Sequence, residues 1–292
     1  MIISDYITEL ASRLQQAGLS YGHGTDNAEG DAWYLVLCSL NINFDCDESV
    51  LQRQLTHQEV ALLDARAEKR IDKNIPVAYL VQSAWFAGHR FKIDDRVLIP
   101  RSPMAELILN RFEPLLKAEP ASILDLCTGS GCIGIACAME FPGAKVDLVD
   151  ISGEALQLAQ ENIDIYSLQQ RVQTMESDLF AEIKQSYDLI VCNPPYVSAQ
   201  EIAGLPAEYH HEPVLGLLSA DEGPAVPLKV LRQAGEYLQE DGILLMEVGY
   251  SHHALSERLP GVPLLWMGFD NGGEGVFMLT RSQLLKYRDN FI

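Results

Sequence analysis

Short apolar stretches that alternate with helical stretches restrict the fold of this chain more than any other feature. From residue 121 onward, five stretches have the pattern of buried strands (SILDLC, KVDLVD, RVQTME, YDLIVC and GILLMEV), and two more strand candidates follow at 264–267 and 276–280. Strands separated by helices are joined by parallel crossovers, and the helices then cover both faces of the sheet. The sequence therefore predicts an α/β fold with a mostly parallel, doubly wound sheet and an antiparallel strand near the C-terminus.

The first seventy-five residues have a different pattern, in which apolar residues recur at helical spacing. This spacing holds over residues 3–14, 33–40 and 60–67. Thr56 is a candidate N-cap for the last of these helices, with Glu59 completing a capping box. We therefore expect a small helical domain at the N-terminal end.

A stretch rich in aromatic and β-branched residues follows the helical part. Residues 77–99 contain turn signals at Ala87-Gly88 and Asp94-Asp95 and predict a hairpin, and Pro103 opens a helix that we expect over 104–117. These patterns divide the chain into a helical domain at 1–75, a β-hairpin linker at 76–100 and an α/β domain at 101–292.

The net charge of the chain limits the classes of molecule that it can bind. The chain has 292 residues, and 21 Lys and Arg stand against 41 Asp and Glu, which gives a formal charge of −20. A chain this acidic does not bind nucleic acid or an anionic membrane by bulk charge, whereas it attracts basic partners. We expect no membrane partner and no direct nucleic-acid specificity.

The six cysteines predict no cross-link and no metal. They contain no Cys-x-x-Cys pair, and their spacing fits neither a disulfide framework nor a zinc site, so buried reduced thiols are expected. The N-terminal segment has no basic stretch followed by an apolar core, and no apolar run is long enough to cross a membrane. These features predict a cytoplasmic protein.

A glycine-rich turn follows the first strand of the α/β part. Gly129, Gly131 and Gly134 match the GxGxxG pattern between a strand and a helix, and Asp150 ends the next strand. Glycines let a ligand approach the backbone closely, and an acid at the second strand end can hold ribose hydroxyls. Taken alone, the pattern fits either a nicotinamide dinucleotide or S-adenosylmethionine.

Asp125, at the end of the first strand, favours S-adenosylmethionine. A dinucleotide would place its diphosphate at the helix N-terminus, where this carboxylate would repel it. S-adenosylmethionine carries no phosphate and has a cationic ammonium and a cationic sulfonium, so an acid suits it. The alternative is that Asp125 only caps backbone amides of the turn. After the third strand, Asp178 can accept the adenine amino group and Leu179 can cover the ring, unless the two form an ordinary turn.

The tetrapeptide Asn193-Pro194-Pro195-Tyr196, after the fourth strand, is the sharpest signal in the sequence. Pro194 restricts Asn193 to extended backbone, and the two prolines have no N–H, so the stretch offers acceptors without competing donors. The Asn193 side-chain oxygen and the Pro194 carbonyl can accept both hydrogens of one NH₂ group, and Tyr196 can lie against a planar group. The tetrapeptide therefore predicts a socket for a base amine or a carboxamide. Two acceptors on a carboxamide would favour the charge that develops when its nitrogen attacks a methyl group.

With these motifs, the chain resembles the class I methyltransferases that modify glutamine amides in the translation apparatus. The resemblance spans nearly the whole length and includes DLCTGSG, NPPY and Leu98-Ile99-Pro100-Arg101. Such enzymes methylate the glutamine of the GGQ motif in release factors or a glutamine in the third protein of the large ribosomal subunit. The release-factor branch continues Pro-Asp-Thr-Glu, whereas this chain has Ser102-Pro103-Met104-Ala105-Glu106. That departure, together with residues 205–213 and 269–275, is similar to the ribosomal-protein branch.

The resemblance implies a Rossmann-like class I methyltransferase sheet, S-adenosylmethionine as cofactor and a basic ribosomal protein as substrate, gripped by the N-terminal domain. It implies that Asn193, Pro194 and Tyr196 are catalytic and, with Pro195, bind the target amide. The same chemistry on release factors stays open. Adenine-N6 methylation of nucleic acid is disfavoured by the acidic charge, and a non-catalytic scaffold by the intact motifs. The residues expected around the cofactor are Asp125, Thr128, Gly129, Ser130, Gly131, Asp150, Asp178, Leu179 and Asn193.

Overall fold

The computed structural model describes residues 1–220 and 223–292, and its N-terminal part is helical as the sequence predicts. Thr56 and Glu59 form the expected capping box, because the Thr56 hydroxyl accepts the Glu59 N–H and the Glu59 carboxylate accepts the Thr56 N–H. The helices of this part are α1 (Ile3–Gln16), α2 (Ala28–Ser39), α3 (Glu48–Leu51), α4 (His57–Lys73) and α5 (Val77–Val81).

The prediction of extended chain from residue 77 onward is wrong for its first residues. They form α5, which follows Pro76 and ends at Gln82 in the left-handed conformation with φ of 52°. The hairpin consists only of β1 (Ser83–Phe86) and β2 (His89–Lys92), which are antiparallel and joined at the predicted Ala87-Gly88 turn. A short apolar run has no periodicity that separates a buried helical turn from a strand, which explains the error.

The helix expected over 104–117 is also shorter than predicted. It is α6 (Met104–Leu109), and the chain then turns at Arg111 and Phe112, whose φ angles are 52° and 54°. Pro114 cannot donate a backbone hydrogen bond and disfavours helical backbone in the residue before it, so the helix has to end earlier.

A seven-stranded sheet forms the α/β part and confirms the predicted fold class. Its strands lie in the order β5-β4-β3-β6-β7-β9-β8, and they are parallel except that β9 runs antiparallel to β7 and β8. The strands are β3 (Ser122–Leu126), β4 (Lys145–Asp150), β5 (Val172–Glu176), β6 (Tyr187–Cys192), β7 (Leu238–Glu247), β8 (Leu265–Trp266) and β9 (Val276–Thr280). The remaining α-helices are α7 (Cys132–Glu140), α8 (Gly153–Ile165), α9 (Ala199–Gly204), α10 (Val214–Leu217), α11 (Ala225–Ala234), α12 (His252–Arg258) and α13 (Arg281–Lys286).

Chain order reverses between β3 and β6, and this reversal positions the site. β3 pairs in parallel with β4 on one side and with β6 on the other, and Leu126 lies opposite Cys192 in the register. The glycine turn after β3 and the tetrapeptide after β6 therefore leave the sheet side by side. Ligands of such sheets bind at this switch point, outside the carboxyl ends of the strands.

The two faces of the sheet pack into different parts of the core. Neighbouring residues of β3 point to opposite faces, and Ile123 and Leu124 are both fully buried, in separate apolar clusters. The Ile123 cluster continues through the hairpin into the N-terminal helices, where it includes Ile3 and Leu35. The helical part and the sheet thus share one apolar core, and the division of the chain into three domains remains a prediction.

All six cysteines are free; four are buried, and Cys46 and Cys127 are half-buried. In the part of the chain that the structure describes, we find no helix of the length and apolarity needed to cross a membrane.

Candidate active site

A cavity of about 410 Å³ opens at the carboxyl ends of β3, β4 and β6. The glycine turn, the end of β4, the turn after β5 and the start of the tetrapeptide all contribute to its wall, as the sequence predicts. Residues 98–102, between the hairpin and α6, form another side. The predicted site residues that line the cavity are Thr128, Gly129, Ser130, Asp150, Asp178, Leu179, Asn193 and Pro195.

The glycine turn is held by hydrogen bonds to the neighbouring strand β4. The Thr128 N–H donates to the carbonyl of Val149 at 3.0 Å, and the Gly129 N–H donates to Oδ2 of Asp150 at 2.9 Å. Gly129 and Gly131 have φ of 53° and 80°, a region that glycine enters without strain. Gly131 lies at the N-cap of α7 and outside the cavity lining.

Asp125 occupies a different place from the one we expected. Its carboxylate is fully buried beneath the glycine turn and does not line the cavity. Oδ2 accepts the Gly134 N–H at 2.8 Å and the Thr128 hydroxyl at 2.6 Å, while Oδ1 has no partner within the described residues. This is the capping geometry that the sequence left open as the alternative. A carboxylate in this position does not face a ligand in the cavity, so Asp125 does not by itself disfavour a dinucleotide.

Burial changes the ionisation of Asp125. It raises the pKa of the carboxyl to about 7, against the hydrogen bonds from Thr128 and Gly134, which lower it. The group therefore has a substantial neutral fraction near pH 7. Protonation removes the charge of the buried carboxyl. A neutral carboxyl with one unpartnered oxygen costs less free energy to bury than a charged one.

Asp150 is positioned as the sequence predicts, at the end of β4 and on the cavity wall. Its Oδ2 accepts the Gly129 N–H, and its Oδ1 accepts the Ser152 N–H at 2.9 Å. Each oxygen keeps a lone pair for another donor. Burial raises the pKa of Asp150, and these backbone donors act against that rise.

The turn after β5 brings Asp178 and Leu179 to the same cavity. Leu179 has φ of 50°, an unusual value for a branched side chain, and its carbonyl accepts the Ser177 hydroxyl at 2.9 Å. Asp178 thus contributes a carboxylate and Leu179 an apolar side chain to the same part of the cavity lining.

Two residues of the tetrapeptide line the cavity and two do not. Asn193 and Pro195 line the cavity, whereas Pro194 is buried and Tyr196 does not line it. The ring of Tyr196 packs on Gly249, where an added Cβ would lie 2.9 Å from the ring. The expectation that this ring lies against a planar group in the cavity is not supported by its position.

Tyr196 belongs to a buried hydrogen-bond network. Its hydroxyl donates to Oε1 of Glu247 at 3.4 Å, and Oε2 of Glu247 accepts the hydroxyl of Ser102. Burial raises the pKa of Glu247 to about 7, while the Ser102 and Tyr196 hydroxyls and the charge of Arg101 lower it. This network joins the tetrapeptide to residues 98–102 and to the end of β7.

A second buried network fixes the same side of the cavity. Arg101 donates two hydrogen bonds to Glu212, at 2.6 and 2.7 Å, and the Ile99 N–H donates to the same carboxylate at 3.1 Å. Burial alone would raise the pKa of Glu212, but the nearby His23 imidazole, 3.8 Å away, and the hydrogen bonds and charge of Arg101 outweigh it and lower the pKa to about 2. Glu212 is therefore ionised at neutral pH and holds residues 98–102 in place.

The N-terminal helices reach the site through Arg70, which is buried on α4. Its guanidinium donates to Asp31 at 2.8 Å, to Glu208 at 3.1 Å and to the carbonyl of Ser20 at 2.7 Å. Glu208 and Glu212 belong to the same segment after the tetrapeptide. This segment thus links the helical part to the cavity wall.

Sequence reasoning missed the residues that support the site from behind. Residues 98–101 were noted only as part of a resemblance, yet they line the cavity. Asn162 was not noted at all, although it is fully buried and its Nδ2 donates to the carbonyls of Ser130 and Lys92, at 2.9 and 3.0 Å. The signal in the sequence is an Asn on the apolar face of an otherwise amphipathic helix, where a polar side chain needs hydrogen-bond partners.

A parallel sheet with its cavity at the β3–β6 switch point, a glycine turn on one wall and an NPPY segment on another defines a class I methyltransferase. The profile of the Methyltransferase small domain family matches residues 104–206. The ribosomal protein uL3 glutamine methyltransferase of Francisella tularensis is 42% identical over 292 residues, which cover 99% of this chain and 93% of that protein. The protein of the same name from Neisseria gonorrhoeae is 41% identical and covers 97% and 95%. The chain belongs to the family of ribosomal protein uL3 glutamine methyltransferases.

Solved structures give a more distant likeness. A methyltransferase from Pyrococcus furiosus is 15% identical with a TM-score of 0.49, covering 78% of this chain and 99% of that one. A ribosomal protein L11 methylase from Lactobacillus delbrueckii subsp. bulgaricus is 21% identical with a TM-score of 0.42, covering 61% and 77%. The family assignment rests on the sequence relatives.

Proposed function

We propose that this protein transfers a methyl group from S-adenosylmethionine to the side-chain amide nitrogen of a glutamine in ribosomal protein uL3. The observation that carries the chemistry is that Asn193 and Asp150, from two different strands, face one cavity beside the glycine turn. The shared name of the two sequence relatives supports the substrate. A ribosomal protein substrate also supports the predicted cytoplasmic location.

The cavity wall suits the proposed cofactor. The free lone pairs of Asp150 fit ribose hydroxyls, and Asp178 with Leu179 fits an adenine amine and ring. The turn from Thr128 to Ser130 supplies close backbone, and Asn193 borders the same space. S-adenosylmethionine, when bound, would supply a methyl group activated by its sulfonium sulfur; the bond from this carbon to sulfur would break as the bond to nitrogen forms, and neutral S-adenosylhomocysteine would leave. Asp125 and Gly131 support this turn from behind and are proposed to act on the cofactor only through it.

The tetrapeptide is proposed to hold the target amide. The side-chain oxygen of Asn193 and the carbonyl of Pro194 accept the two amide hydrogens, which turns the nitrogen lone pair toward the methyl donor and favours the developing positive charge. Holding the reacting atoms in line can lower the barrier by about 7–11 kcal/mol in well-oriented reactions. The proton leaves afterwards to water or to a backbone carbonyl. Tyr196 keeps Asn193 and Pro194 in place through its contacts with Gly249 and Glu247.

Other substrates have less support. The GGQ glutamine of release factors would use the same chemistry, but the relatives carry the uL3 name over nearly their whole length. Adenine-N6 methylation of nucleic acid would bring a polyanion to a chain with a formal charge of −20. A basic protein substrate, contacted by the domain at residues 1–75, is the partner we propose.

The test is methyl transfer to purified uL3 from S-adenosylmethionine labelled in its methyl group, with release factor and ribosomal RNA as parallel substrates. We expect label on a uL3 glutamine. Asn193→Ala should reduce the rate by about 10²–10³-fold because one preorganised hydrogen-bond partner is lost. Calorimetry should show that its affinity for the cofactor changes less than about threefold.

The matched control is Asn290→Ala, an exposed asparagine near the C-terminal end, which should keep full activity. Full activity of Asn193→Ala would contradict the proposed mechanism. Label on RNA or on release factor in place of uL3 would contradict the proposed substrate.

A further inference from the structure

A second cavity, of about 350 Å³, lies between the N-terminal helices and the hairpin. Four aromatic side chains line it: Trp33 and Tyr34 of α2, Phe44 of the following loop and Trp85 of β1. The Phe44 and Trp85 rings meet edge to face with centroids 4.9 Å apart, and they are 47% and 38% exposed. We name this cavity the aromatic groove.

The stretch of sequence that supplies Trp33, Tyr34 and Phe44 to the aromatic groove is acidic. Between Arg13 and Arg53 the sequence contains no Lys or Arg, while it has six Asp and Glu. Asp26 follows the lining residue Thr25, and Asp45 follows Phe44, and both carboxylates are exposed. An occupant of this groove therefore gains by carrying positive charge.

The aromatic rings already bind a cation of this chain. The guanidinium carbon of Arg90 lies 5.3 Å from the centroid of the Trp85 ring, and its Nε donates to the Ser83 hydroxyl at 2.7 Å. Guanidinium and ammonium groups are attracted to the faces of indole rings. The remaining exposed ring surface offers the same attraction to a cation from outside.

Pro100 connects the aromatic groove with the candidate active site. It lines both cavities, so residues 98–101 form a wall between them. The Arg101–Glu212 and Ser102–Glu247 hydrogen bonds hold this wall in a fixed position. The two cavities are therefore neighbours, separated by this short segment.

We propose that the aromatic groove binds a Lys- or Arg-containing segment of the same protein substrate whose glutamine enters the active-site cavity. This inference rests on the proposed function and names how the substrate is recognised. The basic side chain packs against Phe44 and Trp85, and the acidic residues around them neutralise its charge. A nucleic acid would be repelled by the same carboxylates, which excludes it as the occupant.

The test compares steady-state methylation of intact uL3 by the full-length protein and by Phe44→Ala and Trp85→Ala. Because aromatic anchors dominate interface energies, each variant should raise KM for uL3 about tenfold or more, with kcat and cofactor affinity unchanged within about twofold. The double variant Asp26→Asn with Asp45→Asn should raise KM severalfold and weaken its dependence on salt. Ile165→Ala, which removes an exposed apolar side chain on α8, is the matched control and should leave KM unchanged.

Unchanged KM in Phe44→Ala and in the charge variant would overturn the proposal while leaving the proposed function intact, provided that the wild-type protein methylates uL3. If Trp85→Ala lowers the melting temperature, the more exposed Phe44→Ala decides. Sedimentation of the wild-type protein and of Phe44→Ala tests whether a second copy of the chain occupies the groove. A dimer that is lost in the variant, with KM unchanged, would assign the groove to that second copy and overturn the proposal. Failure of the wild-type protein to label uL3 would instead contradict the proposed function.

Discussion

Asp150 supports the backbone at the cavity wall, and we propose that the same side chain also binds the cofactor. Its two oxygens already accept the N–H groups of Gly129 and Ser152, so the carboxylate is oriented before any ligand arrives. Orientation of this kind lowers the entropy cost of binding. We therefore propose that Asp150 contributes to cofactor affinity without taking part in the methyl transfer.

Asp150→Ala should weaken binding of S-adenosylmethionine about 10–100-fold, because hydrogen bonds to a charged group contribute about 1.5–3 kcal/mol. Isothermal titration of the full-length protein measures this change. Asp289→Ala, which removes an exposed carboxylate far along the chain, should bind as the wild-type protein does. Equal affinity in Asp150→Ala would exclude the ribose role.

Asp125 is a residue whose position the sequence did not reveal. The apolar pattern correctly places Asp125 near the end of β3. How deeply its side chain lies below the glycine turn depends, however, on how α7 packs. Gly134 of α7 approaches so closely that an added Cβ would lie 2.9 Å from Cβ of Asp125. A pattern of residue types contains no information on such a distance.

The raised pKa of Asp125 predicts a pH-dependent stability. An unfolded Asp has a pKa of about 3.9, whereas the folded value is about 7, so the folded chain binds more protons between these values. This contribution is fully present below about pH 4 and is lost as pH rises through 7, a change on the order of a few kcal/mol. Compared with Asp125→Asn, the wild-type protein should therefore be relatively more stable at pH 5 than at pH 8. Urea unfolding at the two pH values checks this, and a difference independent of pH would contradict it.

At the scale of elements, sequence patterns predicted the strands of the parallel sheet well and the junctions before it less well. The strands at 145–150, 172–176 and 187–192 are buried runs bounded by turns, and their ends agree closely with the prediction. α5 and α6 lie where apolar residues have no long periodicity, so packing decides their conformation. The site depends on both kinds of element, because residues 98–102 lie between them.

The segment after the tetrapeptide is the element that holds these junctions in place. Glu212→Ala should lower the free energy of unfolding by about 3–5 kcal/mol at pH 7, because it leaves the half-buried Arg101 without its partner. The folded pKa of Glu212 is about 2, below the unfolded value of about 4.3, so its stabilisation is present above pH 4.3 and is lost as pH falls toward 2. The difference between variant and wild type should therefore shrink on acidification.

Denaturant unfolding at pH 7 and at pH 3 measures the effect of this substitution. Glu182→Ala, an exposed carboxylate at the turn after β5, should change stability by less than about 0.5 kcal/mol. A Glu212→Ala variant as stable as the wild-type protein would show that the ion pair contributes nothing.

For the whole molecule, charge and shape act at different distances. A formal charge of −20 attracts basic proteins from far away, whereas the two cavities are proposed to select what binds. The sequence predicted the first effect from composition alone. It could not predict the second, because residues 25–44, 85 and 98–102 meet only in the folded chain.

Long-range attraction predicts that kcat/KM for uL3 falls by about tenfold between 50 and 300 mM KCl, since screening lengths shorten with salt. The value of kcat itself should stay constant, because the reaction occurs within the cavity. Steady-state kinetics across this range provide the measurement, and affinity for the cofactor serves as the control that should not change. A kcat/KM independent of salt would contradict steering by charge.

The buried Arg70 determines how much of the N-terminal part can be deleted from this protein. Its partner Asp31 belongs to the N-terminal helices and its partner Glu208 to the segment after the tetrapeptide, and the apolar cluster that begins at Ile3 continues beneath the sheet. Deleting the first seventy-five residues would remove Arg70, the partner of Glu208, and would expose apolar surface on the rest of the protein. The shortened enzyme should therefore aggregate and fold poorly. A minimal active version of this protein has to keep the N-terminal helices.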